Sequence, residues 1–119
     1  MSWQNTEKRR FPRANLPCKI IVHTPKESVI ATITENIGAG GVRVIIDEAI
    51  EVSSMVGLEI EVNSSVVSCK GRVTWMVPRR DLESSESLGY DTGIEFYQIS
   101  QKDQELIKKL VEAIISKEQ

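Results

Sequence analysis

Strict alternation of apolar and polar residues between Val66 and Val77 constrains the fold more than any other feature of this sequence. The apolar members of the alternation are Val67, Cys69, Gly71, Val73, Trp75 and Val77, with Ser68, Lys70, Arg72 and Thr74 between them. Successive side chains of a β-strand point to opposite faces of a sheet. The segment therefore predicts a long strand with one face buried.

Five other short runs rich in Val and Ile are separated by polar or glycine-containing breaks, which is typical of β-structure. The predicted strands are residues 18–24, 29–34, 42–46, 57–62, 66–77 and 89–96. Six strands at such short spacing predict a small antiparallel barrel or sandwich.

The last part of the chain has a different period. Its apolar residues recur at spacings of three and four, and they are Leu106, Ile107, Leu110, Val111 and Ile114. This is one apolar stripe of a helix. Ser100 followed by Asp103 indicates an N-cap with an acidic first turn. The sequence predicts one helix over residues 100–117 that closes the core.

Length and composition indicate a single globular domain. The chain has 119 residues, of which 40% are hydrophobic and 27% charged, which suffices for one core and no second. No apolar run approaches the roughly 18 residues of a membrane span. Residues 1–10 lack the apolar core of a secretory signal. We therefore expect a cytoplasmic protein without a membrane span.

The sequence offers little for catalysis or metal binding. Cys18 and Cys69 form no CxxC motif, and His23 is the one histidine. A zinc site of the usual ligand spacing cannot be written with these residues. No residue pair stands out as nucleophile and general base. We expect no catalytic residues, no metal and no enzyme activity.

Charge is distributed unevenly along the chain. Residues 1–13 contain four basic residues and one acidic residue, whereas residues 14–119 contain 11 basic and 16 acidic residues. A basic arm on an acidic body favours a small anionic ligand. It disfavours a nucleic-acid polymer, because proteins that coat such polymers carry basic residues across a whole face.

Two short motifs carry a resemblance to a known family. Arg9 and Arg13 form an Arg-x-x-x-Arg motif with Arg10 inside it, and residues 36–41 read Asn-Ile-Gly-Ala-Gly-Gly. In order and spacing, these motifs resemble the two signatures of the PilZ domain, a bacterial receptor for the second messenger cyclic di-GMP. Residues 71–75 and 93–96 look like the family's later strands, so the resemblance covers essentially the whole chain.

The resemblance implies a fold, a ligand and a site. It implies an all-β, six-stranded PilZ-type barrel with one C-terminal helix over residues 14–119, preceded by a flexible basic arm over residues 1–13. The ligand is cyclic di-GMP, with no cofactor and no metal. The implied ligand-binding residues are Arg9, Arg10, Arg13, Asn36, Gly38, Gly40, Gly41 and Trp75.

The chemistry of these residue types suits a cyclic dinucleotide. A guanidinium grips O6 and N7 of guanine bidentately, and it also stacks on the base. Glycines let backbone amides approach a ligand closely. Trp75 has two interpretations that the sequence leaves open, since it alternates with Val73 and Val77: a platform for stacking or a buried core residue.

One position departs from the family pattern. The second signature has a serine where this chain has Gly38, and a lost hydroxyl hydrogen bond costs about 0.5–1.5 kcal/mol. We expect weaker ligand binding rather than none, and we expect Gly38→Ser to restore the bond.

The sequence therefore predicts a non-enzymatic cyclic di-GMP receptor. Ligand binding orders the N-terminal arm, and an effector protein reads the changed surface. The alternative is an adaptor of the same fold that binds the ligand weakly or not at all and acts through protein contacts. The pathway, the oligomeric state and the number of ligands per site stay open.

Overall fold

The computed structural model describes residues 12–80 and 87–117. The described elements, in chain order, are β1 (Arg13–Ala14), β2 (Lys19–His23), β3 (Val29–Gly38), β4 (Gly41–Ile46), β5 (Met55–Val62), β6 (Ser65–Arg80), β7 (Ser87–Gln98) and α1 (Gln101–Lys117). Each predicted strand and the predicted helix has a counterpart among them. The two-residue strand β1 was not predicted.

Six of the strands form a closed ring. The order around the ring is β3, β2, β5, β6, β7 and β4, and β4 pairs back onto β3. All of these pairings are antiparallel. β1 extends the sheet by pairing with the end of β3, where Arg13 lies opposite Gly38. The predicted six-stranded antiparallel barrel with a C-terminal helix is confirmed.

The interior of the barrel is apolar and is closed by α1. Its largest fully buried side chains are Ile20, Ile37, Leu58, Ile60, Ile94 and Ile107. Ile107 and Val111 of the helix are buried in this core, as the apolar stripe predicts. The Ser100 hydroxyl accepts a hydrogen bond from the Asp103 amide over 3.1 Å, so the predicted N-cap is confirmed. No helix in the described ranges is long and apolar enough to cross a membrane.

The alternation in β6 breaks at Thr74, so one prediction is wrong. Val73 lies opposite Ile94 and Trp75 lies opposite Gly93, which leaves Thr74 as an extra residue in β6. Such a β-bulge shifts the residues after it to the other face. Val73 is fully buried, whereas Trp75 and Val77 are 40% and 54% exposed. The face of β6 that is buried up to Val73 is therefore exposed after Thr74.

The second motif lies largely inside a strand. β3 continues to Gly38, beyond the predicted end at residue 34, because β1 and β4 pair with the two edges of its last residues. The turn itself consists of Ala39 and Gly40. Asn36 and Gly38 therefore occupy defined register positions on the barrel surface.

Candidate ligand-binding surface

Four outward residues lie in register across the strands β3, β4, β7 and β6. Asn36 lies opposite Arg43, Arg43 opposite Gly93, and Gly93 opposite Trp75. We call this set the asparagine row. Neighbouring strands are about 4.8 Å apart, so the row spans roughly 14 Å from Asn36 to Trp75.

A second set of outward residues runs beside the first and also includes β1. Arg13 lies opposite Gly38, Gly38 opposite Gly41, Gly41 opposite Glu95, and Glu95 opposite Arg72. We call this set the glycine row, and the two rows together the ligand face. The rows are two residues apart along β3, β4 and β7, which corresponds to about 7 Å.

Three positions on the ligand face fit only glycine, because other atoms of the protein occupy the space of a side chain. A Cβ on Gly41 would lie within van der Waals overlap of the Ile94 carbonyl oxygen, and one on Gly93 would overlap the Trp75 indole. A Cβ on Gly38 would lie 2.6 Å from the Pro12 carbonyl oxygen. Glycine inside a strand weakens the strand and marks a place where another group approaches the backbone.

Arg13 and Asn36 are joined before any ligand arrives. The Arg13 Nη1 donates to the Asn36 Oδ1 over 2.8 Å, which links the two motifs through side chains 23 residues apart. The contact uses the amide oxygen of Asn36 and leaves its NH₂ group as a donor. Pairing of β1 with β3 places the guanidinium here, so both motifs address one site.

Two arginines that the motifs do not include also lie on the ligand face. Arg43 makes a two-pronged contact with Asp91, from Nε to Oδ1 over 2.8 Å and from Nη2 to Oδ2 over 2.7 Å. These hydrogen bonds lower the pKa of the Asp91 carboxyl, and partial burial opposes them. Arg72 donates to Glu95 through Nε and Nη2, and its guanidinium lies over the Tyr97 ring.

Trp75 lies on the outside of the barrel, over Gly93. The bulge at Thr74 turns the indole outward, and the Thr74 hydroxyl donates to the Gly93 carbonyl over 3.1 Å. Gly93 is buried beneath the indole although it points away from the core. Of the two interpretations that the sequence left open, the structure excludes the buried core residue.

The structure brings four of the predicted site residues onto one surface with Trp75 at its end. Arg13, Asn36, Gly38 and Gly41 lie on the ligand face. Gly40 lies in the adjacent turn, where its carbonyl accepts from the Phe96 amide over 2.9 Å. Arg9 and Arg10 lie outside the described residues.

Sequence reasoning missed four members of the ligand face. They are Arg43, Arg72, Gly93 and Glu95. A signal was present for two of them. Arg43 is the lone charge in an apolar run directly after the glycine motif, and Gly93 is an isolated glycine inside a predicted strand, a pattern that indicates close backbone approach. Nothing in the sequence alone places Glu95 opposite Gly41.

The surroundings of Gly38 leave no room for the serine that was expected to restore a hydrogen bond to the ligand. The first side-chain atom would meet the Pro12 carbonyl oxygen at 2.6 Å and the Arg13 Cγ at 3.1 Å. Backbone atoms do not yield cheaply, so Gly38→Ser would push β1 away from β3. We now expect this substitution to disturb the Arg13–Asn36 contact instead of strengthening the site.

Two grooves lie away from the ligand face on the described part of the chain. One of about 260 Å³ lies beside Pro25 and Ile50, and one of about 380 Å³ lies between Ile30, Ile45 and Leu88. Neither groove is lined by a predicted site residue. No group of three or more potential metal-ligating side chains lies together among residues 12–80 and 87–117.

Solved structures with the same fold are similar over nearly the whole of this chain. The Bacillus subtilis inhibitor of motility (MotI/DgrA) matches with a TM-score of 0.72 and 19% identity, over 92% of this chain and 51% of that one. The PilZ domain of Escherichia coli YcgR with cyclic di-GMP matches with a TM-score of 0.72 and 11% identity, over 93% of this chain and 94% of that domain. The K. pneumonia MrkH–cyclic di-GMP complex matches with a TM-score of 0.71 and 17% identity, over 92% of this chain and 53% of that one.

The chain thus spans about half the length of MotI/DgrA and MrkH. These identities are low, so the similarities establish the fold. A comparison with curated protein sequences finds no match. The PilZ domain family model matches residues 7–113, which is most of the sequence and includes both motifs. The chain belongs to the PilZ domain family.

Proposed function

We propose that this protein is a receptor that binds cyclic di-GMP on the ligand face and catalyses no reaction on it. One observation carries the proposal: both PilZ motifs and three sterically required glycines lie in two adjacent in-register rows, with Arg13 bonded to Asn36. Family membership and the similar structures of YcgR and MrkH with cyclic di-GMP support the ligand.

Each side chain on the ligand face has a role that its chemistry allows. Arg13 and Arg43 supply charge-assisted donors to phosphates or to guanine O6 and N7. The Asn36 NH₂ group donates to a base edge. Trp75 supplies a flat surface on which a purine stacks. Gly41 lets β4 lie close to β7, which sets the spacing of the side chains on the ligand face.

Arg9 and Arg10 complete the proposed site from the N-terminal arm. The arm joins β1 directly, and Arg13 anchors its end beside Asn36. In the proposal, ligand binding orders the N-terminal arm over the ligand. Ordering costs about 1–2 kcal/mol of backbone entropy per residue, which the arginine contacts offset. The changed surface is then read by an effector protein. The boundary between arm and barrel at residues 13 and 14 stays a prediction, as does the cytoplasmic location.

The competing function is a PilZ-type adaptor with little or no ligand binding. Gly38 in place of the family serine favours it, because the site lacks one hydroxyl. The arginine motif and the glycines favour the receptor. A nucleic-acid polymer is the weakest candidate, because a basic arm on an acidic body gives salt-sensitive contact and little more.

Calorimetric titration of the full chain with cyclic di-GMP separates receptor from adaptor. The receptor gives saturable heat and a rise in the melting temperature, and the end point counts ligands per chain. Absence of both heat and thermal shift at high micromolar ligand would assign the protein to the adaptor class. Cyclic di-AMP is the control for binding to any cyclic dinucleotide.

A further inference from the structure

Glu95 is a carboxylate on a surface proposed to bind a dianionic ligand. It lies opposite Gly41 in the glycine row, with Arg72 as its other neighbour. We propose that Glu95 selects guanine over adenine by accepting hydrogen bonds from the guanine Watson–Crick edge. This inference rests on the proposed cyclic di-GMP binding and adds the residue that determines base specificity.

The ion pair of Glu95 leaves half of its carboxylate available. Arg72 Nε and Nη2 donate to the same oxygen, Oε2, over 3.1 and 2.9 Å. Within the described part of the chain, Oε1 accepts no hydrogen bond. The side chain is 43% exposed, so a ligand can reach it. The Tyr97 ring, 5.8 Å from the Arg72 guanidinium carbon, helps to hold the arginine in this position.

A second carboxylate in this part of the barrel, that of Asp91, is already occupied. Asp91 accepts from Arg43 through both oxygens, and its side chain is 17% exposed. The two carboxylates therefore differ in what they can offer. Asp91 orients an arginine, whereas Glu95 can accept bonds from a ligand.

Guanine and adenine present opposite patterns to a carboxylate. The Watson–Crick edge of guanine carries two adjacent donors, N1–H and the N2 amino group, and a carboxylate only accepts. In adenine, N1 is an acceptor whose lone pair faces the carboxylate oxygen. Guanine therefore forms hydrogen bonds with the Glu95 carboxylate where adenine N1 is repelled by it, so the carboxylate favours guanine.

The glycine row leaves Glu95 without a side-chain neighbour on the β4 side. Glu95 lies one strand from Gly41 and two strands from Gly38, so roughly 10 Å of the row before it carries no side chain. Gly38 and Gly41 are themselves buried under neighbouring backbone, so a base would lie on that backbone with its Watson–Crick edge toward Glu95. Arg72 offsets the charge of the carboxylate, which would otherwise repel the phosphates of the same ligand.

The test compares wild type with Glu95→Gln and a matched control, Glu59→Gln. Glu59 is also 43% exposed and is also paired through its Oε2, with His23, but it lies on β5, outside the ligand face. Each protein is titrated with cyclic di-GMP and with cyclic di-AMP. We expect Glu95→Gln to weaken cyclic di-GMP binding by about tenfold or more, because a neutral amide replaces the charged acceptor of the guanine edge. Cyclic di-AMP binding stays unchanged or tightens, and Glu59→Gln matches wild type.

Cyclic di-IMP supplies a second measurement that needs no variant. Hypoxanthine lacks the N2 amino group, so wild type is expected to bind it about tenfold more weakly than cyclic di-GMP. Equal loss of both cyclic dinucleotides in Glu95→Gln would overturn the inference, as would wild-type affinity for cyclic di-IMP equal to that for cyclic di-GMP. If wild type binds no cyclic dinucleotide, the proposed function itself fails, which is a distinguishable result.

Discussion

The outer surface of the barrel has two faces with similar side-chain contacts. They differ in whether a side chain would fit at their glycines. The ligand face crosses β1, β3, β4, β7 and β6, and the opposite face consists of the outward residues of β2 and β5. The inward residues of both faces belong to the same core. Each face also carries a contact between a basic side chain and a glutamate with similarly exposed partners, Arg72–Glu95 and His23–Glu59. Such a contact on a strand surface therefore does not mark the site.

Glycines separate the two faces more sharply. On the opposite face, a Cβ on Gly57 would meet the His23 Cβ at 3.4 Å, an ordinary contact. On the ligand face, a Cβ on Gly41 would overlap the Ile94 carbonyl oxygen. There is room for a Cβ at Gly57, whereas a Cβ at Gly41 requires the backbone to move, so the glycine motif meets a steric requirement of the barrel.

The largest expected difference between the two faces is the change in cyclic di-GMP affinity when one cation is removed from each. Arg13→Ala deletes a donor group whose charge-assisted bonds contribute about 1.5–3 kcal/mol, so cyclic di-GMP affinity falls at least about tenfold. Lys19→Ala removes an exposed cation from β2 and leaves the affinity unchanged. Isothermal titration measures both.

The melting temperature of the free protein is the control for this pair. Arg13 lies in a two-residue strand at the edge of the sheet, so its replacement should shift the melting temperature little. Equal affinities in the two variants would remove Arg13 from the site. A sharp fall in the melting temperature of Arg13→Ala alone would assign the residue a structural role instead.

The two glycines give the next contrast, in the free energy of unfolding. Gly41→Ala forces β4 away from β7, and overpacking of this kind costs about 1–3 kcal/mol. Gly57→Ala has room and gains from the lower backbone entropy of alanine, so it is neutral or stabilising by up to about 1 kcal/mol. Urea unfolding of both variants checks the pair. Equal losses would mean that the steric difference between the two positions has no energetic weight.

Much of this architecture could be predicted from local pattern alone. Alternation located the strands, the period of the last segment located the helix, and the two motifs pointed to the family. The bulge at Thr74 could not be predicted, because nothing in Val73-Thr74-Trp75 departs from regular alternation. Pairing with β7 decides it: Gly93 gives the indole a place to lie outside the barrel.

Which residues lie together in the candidate site also depends on long-range strand pairing. Asn36, Arg43, Trp75 and Gly93 are scattered over residues 36–93 and become neighbours only through the register of three strand pairs. Sequence motifs identified the members contributed by β1 and β3. The members contributed by β6 and β7, with the exception of Trp75, required the structure.

Two threonine substitutions, one on each side of Thr74, test whether the bulge moves the residues after it to the other face of β6. Val73→Thr places a hydroxyl in the core at a fully buried position, which costs about 1–3 kcal/mol. Val77→Thr lies beyond the bulge at a position 54% exposed, and its effect stays within about 0.5 kcal/mol. Both residues belong to the same apolar set in the sequence. Similar destabilisation of the two variants, measured by urea unfolding, would show that the alternation continues unbroken through Thr74.

The smallest expected effect concerns the Arg43–Asp91 pair and its dependence on pH. Hydrogen bonds from Arg43 lower the pKa of Asp91 from its ordinary value of 3.8. A carboxyl whose pKa is lower in the folded state contributes stability above its unfolded pKa, and that contribution disappears as the pH falls through the folded value.

Arg43→Gln removes the bonds but keeps a side chain of similar length. We expect the variant to melt below wild type near neutral pH, and the gap to narrow as the pH falls from about 5 toward about 2, where Asp91 is protonated in both proteins. Melting curves across this range measure the gap. A gap that is independent of pH would mean that Arg43 stabilises the barrel by packing along β4, and the pair would then have no electrostatic part in shaping the ligand face.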